Sequence, residues 1–201
     1  MKIAILGFGN VGKKQAEIYS KAGYEVIIGL RELSTHSFTY PTVLFADAIV
    51  QADAISLAIP YSACAPLLEQ YNDLLSNKII IDSTNPLNDD WSPLLLGEDT
   101  SAAQEIAKVV PSAHVIKAFN TIFADVMDKP IHNQHQVTAF IAGDHKNSKA
   151  EVMILAEKIG YAPLDTGPLA TARLLESLAH LNIQIAVGQQ GGTNAAFVYS
   201  R

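Results

Sequence analysis

The chain has 201 residues, 49% apolar and 17% charged, with a net charge of −6 at pH 7. That balance describes a compact globule rather than a disordered chain, and an acidic surplus with no run of Lys or Arg speaks against a nucleic-acid partner. The longest apolar runs are of strand length, too short to cross a membrane. The single cysteine, Cys64, excludes an internal disulfide and fits a reducing cytoplasm.

Taken in chain order, residues 2–6 form an apolar run that reads as a strand, leaving no room for a signal peptide before it. Gly7-Phe8-Gly9-Asn10-Val11-Gly12 follows at once and leads into a helix expected over 11–22. Each glycine of this G-x-G-x-x-G pattern has a physical role. Gly7 lets the chain turn sharply out of the strand, Gly9 lets backbone approach a pyrophosphate, and Gly12 lets the helix pack close to the strand. The free N–H groups and dipole of the helix N-terminus would then favour the anion.

A second strand is expected over 25–29, followed by Arg31 and Glu32. A guanidinium there matches the oxygens of a ribose 2′-phosphate and favours NADP, while an acid in this region would serve the 2′-hydroxyl of NAD. Ser34, Thr35 and His36 could also reach the same phosphate. Residues 33–44 lack a helix period, and 47–52 read as one short helical turn. A strand over 54–59 ends in Ala58-Ile59-Pro60, and a helix is expected over 67–74. Cys64, between two alanines, reads as a small buried apolar residue.

The next strand, 79–82, ends in Asp82-Ser83-Thr84-Asn85-Pro86, a turn with hydroxyls and an amide to spare. The loop 88–97 carries Trp91, which would either cover a substrate or pack on the surface. Thr100 or Ser101, with Gln104 or Glu105, would cap a helix over 102–109. A strand over 115–119 closes in Asn120-Thr121 and contains Lys117, suited to a hydrogen-bond network or to polarising a carbonyl. His132-x-x-His135 reads as a solvated loop rather than a metal site, which needs more ligands. Strands over 137–142 and 162–166 flank a helix over 148–159. The helix over 172–187 has one apolar face, and the tail 194–201 would pack on a partner subunit or fold back. Strand and helix signals alternating in this way imply a doubly wound parallel sheet, Rossmann-like, in one domain over 1–201 that closes with a C-terminal helix and tail over 170–201. Ligands of such sheets bind outside the carboxyl ends of the strands.

Together with the glycine loop, several segments give the chain its resemblance to a family. They are Gly29-Leu30-Arg31, Ala58-Ile59-Pro60, 101–105, His114 to Ile122 with its Lys-Ala-Phe-Asn-Thr core, and Leu164 to Leu169 with Arg173, Glu176 and Leu178. The chain resembles the NADPH-dependent reductases of coenzyme F420, a deazaflavin, and the related cytoplasmic oxidoreductase domains of STEAP ferric reductases. The resemblance implies NADP(H) on the glycine loop, a flavin or deazaflavin against the nicotinamide, and often a dimer. It implies that Gly7, Phe8, Gly9, Asn10 and Val11 hold the pyrophosphate and Arg31 the 2′-phosphate. Ala58, Ile59 and Pro60 would lie along the nicotinamide, and Asn120 would line the hydride-transfer site. The chain departs from the family at Leu30, commonly a Ser, and at the acidic Glu32. It has no counterpart of the haem-carrying membrane part of STEAP, so no transmembrane electron transfer is expected of it.

Hydride transfer between two such rings needs geometry more than acid or base, which agrees with the absence of a nucleophile–His–acid pattern. Two other readings remain at this level. One is a small-molecule NAD(P) dehydrogenase, although the roughly 30 residues after the last strand are too few for the helical domain such enzymes carry. The other is a non-catalytic dinucleotide-binding or redox-sensing module.

Overall fold

The computed structural model describes residues 1–33, 39–97 and 99–200. Residues 34–38, among them Ser34, Thr35 and His36, together with Glu98 and Arg201, therefore lie outside the described residues. Its centre is an eight-stranded sheet. In chain order the elements are β1 (Lys2–Leu6), α1 (Asn10–Lys21), β2 (Glu25–Leu30), β3 (Thr42–Leu44), α2 (Phe45–Gln51), β4 (Ala54–Leu57), α3 (Tyr61–Gln70) and β5 (Ile79–Asp82). They continue with α4 (Ala102–Val109), β6 (His114–Ala118), β7 (Ile131–His132), β8 (His135–Gln136), β9 (Thr138–Gly143), α5 (Lys146–Lys158), β10 (Ala162–Asp165) and α6 (Ala172–Ile183). The sheet order is β10-β9-β6-β5-β4-β1-β2-β3.

Successive side chains of a strand point to opposite faces, and here both faces are covered. Ile3 and Ile5 of β1 join a core with Ala16 and Tyr19 of α1 and Val152 and Leu155 of α5. Ala4 and Leu6 join the opposite core with Ala48 of α2, Cys64 and Leu68 of α3, Ile106 of α4 and Ala172 of α6. Burial on both faces is why these strands are near-continuous apolar runs.

From β3 to β6 all neighbouring pairs are parallel. β9 then pairs antiparallel to β6, and β10 runs parallel to β9. The sheet is thus mostly parallel, with its last two strands reversed. A parallel return needs a crossover, usually a helix, and residues 119–137 contain only the short turn Ala124–Val126 and the β7–β8 hairpin. That hairpin replaces the solvated loop expected around His132 and His135. The two histidines are cross-strand partners, and Asn133 and Gln134 turn the chain with φ 47° and 68°, the backbone that tight two-residue hairpins require.

Two further differences concern local signals. β3 is a three-residue edge strand within the segment that lacked a helix pattern. α3 starts at Tyr61, six residues before the expected helix, and contains Pro66. The missing N–H of Pro66 would have paired with Ser62, and both residues are exposed, so water reaches the freed carbonyl.

Candidate functional site

The parallel strands β2, β1, β4, β5 and β6 end on one rim of the sheet. The order of connection reverses between β1 and β4, and such a switch point is where open α/β sheets bind ligands. At this point the chain leaves β1 through Gly7, whose φ of 98° is open to glycine but not to ordinary side chains. A Cβ at Gly7 would stand 2.6 Å from the Ala58 carbonyl oxygen, and one at Gly12 would stand 2.3 Å from the Gly7 carbonyl oxygen. The turn and the first helical turn are therefore pressed against the end of β4. Gly9 is different: a Cβ there meets nothing within 4 Å. It is exposed, it is the N-cap of α1, and it offers that helix no side-chain cap; no acid occupies the first turn. The result is an open helix N-terminus with backbone donors facing outward.

Polar side chains buried under the loop hold α1 in place. Gln15 is fully buried; its amide donates to Ser83 Oγ (3.0 Å) and accepts from Ser56 Oγ (2.9 Å), and Ser83 Oγ donates to the Leu57 carbonyl (2.9 Å). α1 is thus pinned to the ends of β4 and β5. Gln15 was not singled out in the sequence, where the available signal was a polar residue on the buried face of an amphipathic helix.

On the flank beyond β2, Arg31 and Glu32 directly follow the strand and are exposed. Phe8, half-buried, meets the ring of Tyr40 edge-on at 6.4 Å. Ala58 and Ile59 are half-buried, and the exposed Pro60 starts α3. At the other flank, Asn85 follows β5 and Asn120 follows β6. Asn85 Nδ2 donates to the Asn120 carbonyl (2.8 Å), and Asn120 Nδ2 donates to Asn85 Oδ1 (2.9 Å) and to the Leu175 carbonyl (3.1 Å). The expected binding residues thus sit along one rim. From β2 to β6 that rim spans about 19 Å at roughly 4.8 Å per strand.

Lys117 lies behind the rim and is fully buried. Its ammonium donates to Asp82 (2.9 Å), to the Thr84 carbonyl (2.6 Å) and to Glu176 (2.8 Å). All three donors are committed, so Lys117 acts in a network and has none left to polarise a substrate carbonyl. Burial alone would push the ammonium pKa down, but the Asp82 and Glu176 carboxylates outweigh it and hold it above its ordinary value. Each carboxylate is further satisfied. Asp82 accepts from the Thr84 N–H and hydroxyl, and Glu176 accepts from the N–H groups of Ala102 and Ala103 at the start of α4, where negative charge is favoured. Ser101 caps the same helix, its hydroxyl accepting from the Gln104 N–H.

Other candidates stand apart from the rim chemistry. Cys64 is fully buried, its thiol pKa is pushed up by burial, and it donates weakly to the Pro60 carbonyl. The loop around Trp91 is closed on itself by Asn88, Asp90 and Ser92, and Trp91 is exposed rather than packed. Asp165 to Leu169 turns β10 into α6: Asp165 accepts from Lys149 and the Gly167 N–H, and Asp144 accepts from the Leu169 N–H.

Residues 2–86 match the family described as NADP oxidoreductase, coenzyme F420-dependent. The chain is 28% identical over 216 residues to the F420-dependent NADP reductase of Methanothermobacter thermautotrophicus, covering 93% of this chain and 90% of that one. It is 31% identical over 185 residues to metalloreductase STEAP3 of Rattus norvegicus, covering 88% of this chain and 36% of that one, so it spans about a third of the length of that relative. A candidate F420-dependent NADP reductase of Arthrobacter sp. FB24, known from its crystal structure, superposes with a TM-score of 0.91 at 29% identity over the whole of both chains.

Proposed function

We propose that this chain, which is similar over residues 2–86 to the coenzyme F420-dependent NADP oxidoreductases, is an oxidoreductase of that kind and transfers a hydride between NADP(H) and a flavin or deazaflavin acceptor. The observation that carries this reading is the open, uncapped N-terminus of α1 at Gly9, set at the switch point of the sheet. Gly7, Phe8, Gly9, Asn10 and Val11 hold the pyrophosphate there, and Gly12 keeps the helix close enough for its donors to reach. Arg31 pairs with the 2′-phosphate. Ala58, Ile59 and Pro60 border the nicotinamide, and Asn120 lines the transfer site.

When bound, the dinucleotide supplies the hydride, so the protein's work is to hold two flat rings together and keep water out. The rim suits that work, with apolar surface at Ala58 and Ile59 and amides at Asn85 and Asn120. The reading places the protein in the cytoplasm, as one domain over 1–201 that works as a homodimer on a small flavin-like molecule.

Calorimetric titration with NADPH and NADH tests it. NADPH binding at least tenfold tighter, about 1.4 kcal/mol, is expected, and Arg31→Ala should abolish that preference. Equal binding, or a preference for NADH, would transfer ribose recognition to Glu32. Oxidation of NADPH is then followed with F420, FMN, FAD and riboflavin in turn. Tight binding with turnover on none of them would leave a dinucleotide-binding module without this activity.

A further inference from the structure

We propose that Oδ1 of Asn120 is the acceptor for the carboxamide N–H of the nicotinamide, and that Asn85 is the residue that holds it in position. This rests on the dinucleotide reading above and adds an atom, a partner and a selectivity to it. Buried side-chain acceptors are almost always satisfied, and each exception calls for an explanation. Among the described residues the buried side-chain polar atoms without a hydrogen-bond partner are the Tyr19 hydroxyl, Asn72 Oδ1, Asn120 Oδ1 and Asp128 Oδ1. Of these, Asn120 Oδ1 belongs to the residue that follows β6 by two positions on the ligand-side rim, bonded to the turn after β5.

The orientation of the Asn120 amide is decided by its neighbours. Its nitrogen donates to Asn85 Oδ1 and to the Leu175 carbonyl, both acceptors, so a flipped amide would set oxygen against oxygen twice. The unmet atom is therefore an acceptor, and it calls for a donor. Asn85 grips Asn120 at two points, taking a bond from its amide and giving one to its carbonyl. Phe119, just before it, is held at φ 64° with its side chain buried between the rings of Tyr19 and Tyr161. Bulky residues rarely adopt that backbone, and such outliers gather at ligand clamps.

The chemistry of the ligand selects the donor. Along a dinucleotide whose phosphate end lies near Arg31, the adenine amino group is at the β2 flank, while the sugars and pyrophosphate lie between. The N–H donor of the opposite end is the carboxamide. Fixing that group would fix which face of the nicotinamide ring turns toward the acceptor.

The test uses the whole wild-type chain and two analogues, read by calorimetry. The thionicotinamide analogue of NADP+ keeps the amino group; the 3-acetylpyridine analogue carries a methyl in its place. We expect the thionicotinamide analogue to bind within about threefold of NADP+ and the acetylpyridine analogue about tenfold or more weakly, the cost of leaving a buried acceptor unmet. In Asn120→Leu the gap should shrink to about twofold or less, and in Asn85→Ala it should narrow while NADP+ still binds. Equal binding of the acetylpyridine analogue by the wild type would overturn the proposal, since Oδ1 would then be served by water or by nothing, while the dinucleotide reading would stand. Failure of NADP+ itself to bind would overturn both.

Discussion

At the scale of single residues, Gly9 and Gly12 separate function from stability. Gly9 has empty space where a Cβ would go, whereas Gly12 has the Gly7 carbonyl oxygen 2.3 Å away. Gly9→Ala should therefore fold with a loss of no more than about 1 kcal/mol from the N-cap, yet bind NADPH at least tenfold more weakly, because its methyl occupies the approach to the helix donors. Gly12→Ala should lose about 2–3 kcal/mol, roughly 5–10 °C in Tm, since backbone must move to admit one carbon. Thermal unfolding beside calorimetric titration of both variants checks the contrast. These glycines were legible in the sequence because each answers a local backbone demand. The grip of Asn85 on Asn120 was not, since it joins two strand ends that become neighbours only when β5 and β6 pair. The same holds for Gln15 of α1, whose partners are Ser56 on β4 and Ser83 just after β5.

At the scale of elements, α5 begins against an unusual neighbour. His145 is its N-cap, and the His145 ring stacks on that of His114 from β6 with centroids 3.4 Å apart. The Ser148 hydroxyl lies 2.9 Å from Nδ1 of each. Burial, and then the charge that His145 would carry, hold the His114 pKa below its ordinary value of 6.5. His180 on α6 is lowered too, mainly by burial. A depressed folded value means that the unfolded chain takes up the proton first. The stability due to these neutral rings is present above about pH 6.5 and is lost as the pH falls through that value toward the folded pKa. Urea midpoints should drop between about pH 7.5 and 5.5, and the drop should be shallower in His114→Phe, which keeps a ring against His145 but cannot take a proton. An equal drop in both would remove His114 as its source. Elements were legible where the pattern was long, as in α1, β1 and β2. They were missed where tertiary pairing decides, as in the three-residue β3 and the β7–β8 hairpin. Pro66 hid the start of α3 because a proline on a solvated helix face is tolerated.

At the scale of the whole molecule, α6 has an exposed side as well as a buried one. Leu174 and Leu181 of α6 are each 53% exposed and lie seven residues apart on one apolar stripe, and Ile185, 47% exposed, follows in the π-helical turn Gln184–Gly188. The tail beyond folds back on its own chain instead, trading hydrogen bonds with Thr138 through Phe197 and Tyr199. If the protein works as a homodimer, this stripe is its natural seam. The wild type should sediment at twice its chain mass of 21.6 kDa, and Leu181→Glu should sediment as a monomer that still binds NADPH. A monomeric wild type would discard the dimer. The rim of the sheet could be anticipated from the alternation of elements, but the reversal of β9 and β10 could not, because alternation carries no record of strand direction. The network around Lys117 has a different bearing, on the order in which the chain is made. Its third acceptor, Glu176, is also the partner of the first N–H groups of α4, and it leaves the ribosome after every strand of the sheet. Until α6 emerges, the strands already synthesised would enclose an ammonium short of one acceptor and a helix start short of its carboxylate. A chain interrupted before α6 should therefore close loosely and stay open to proteolysis.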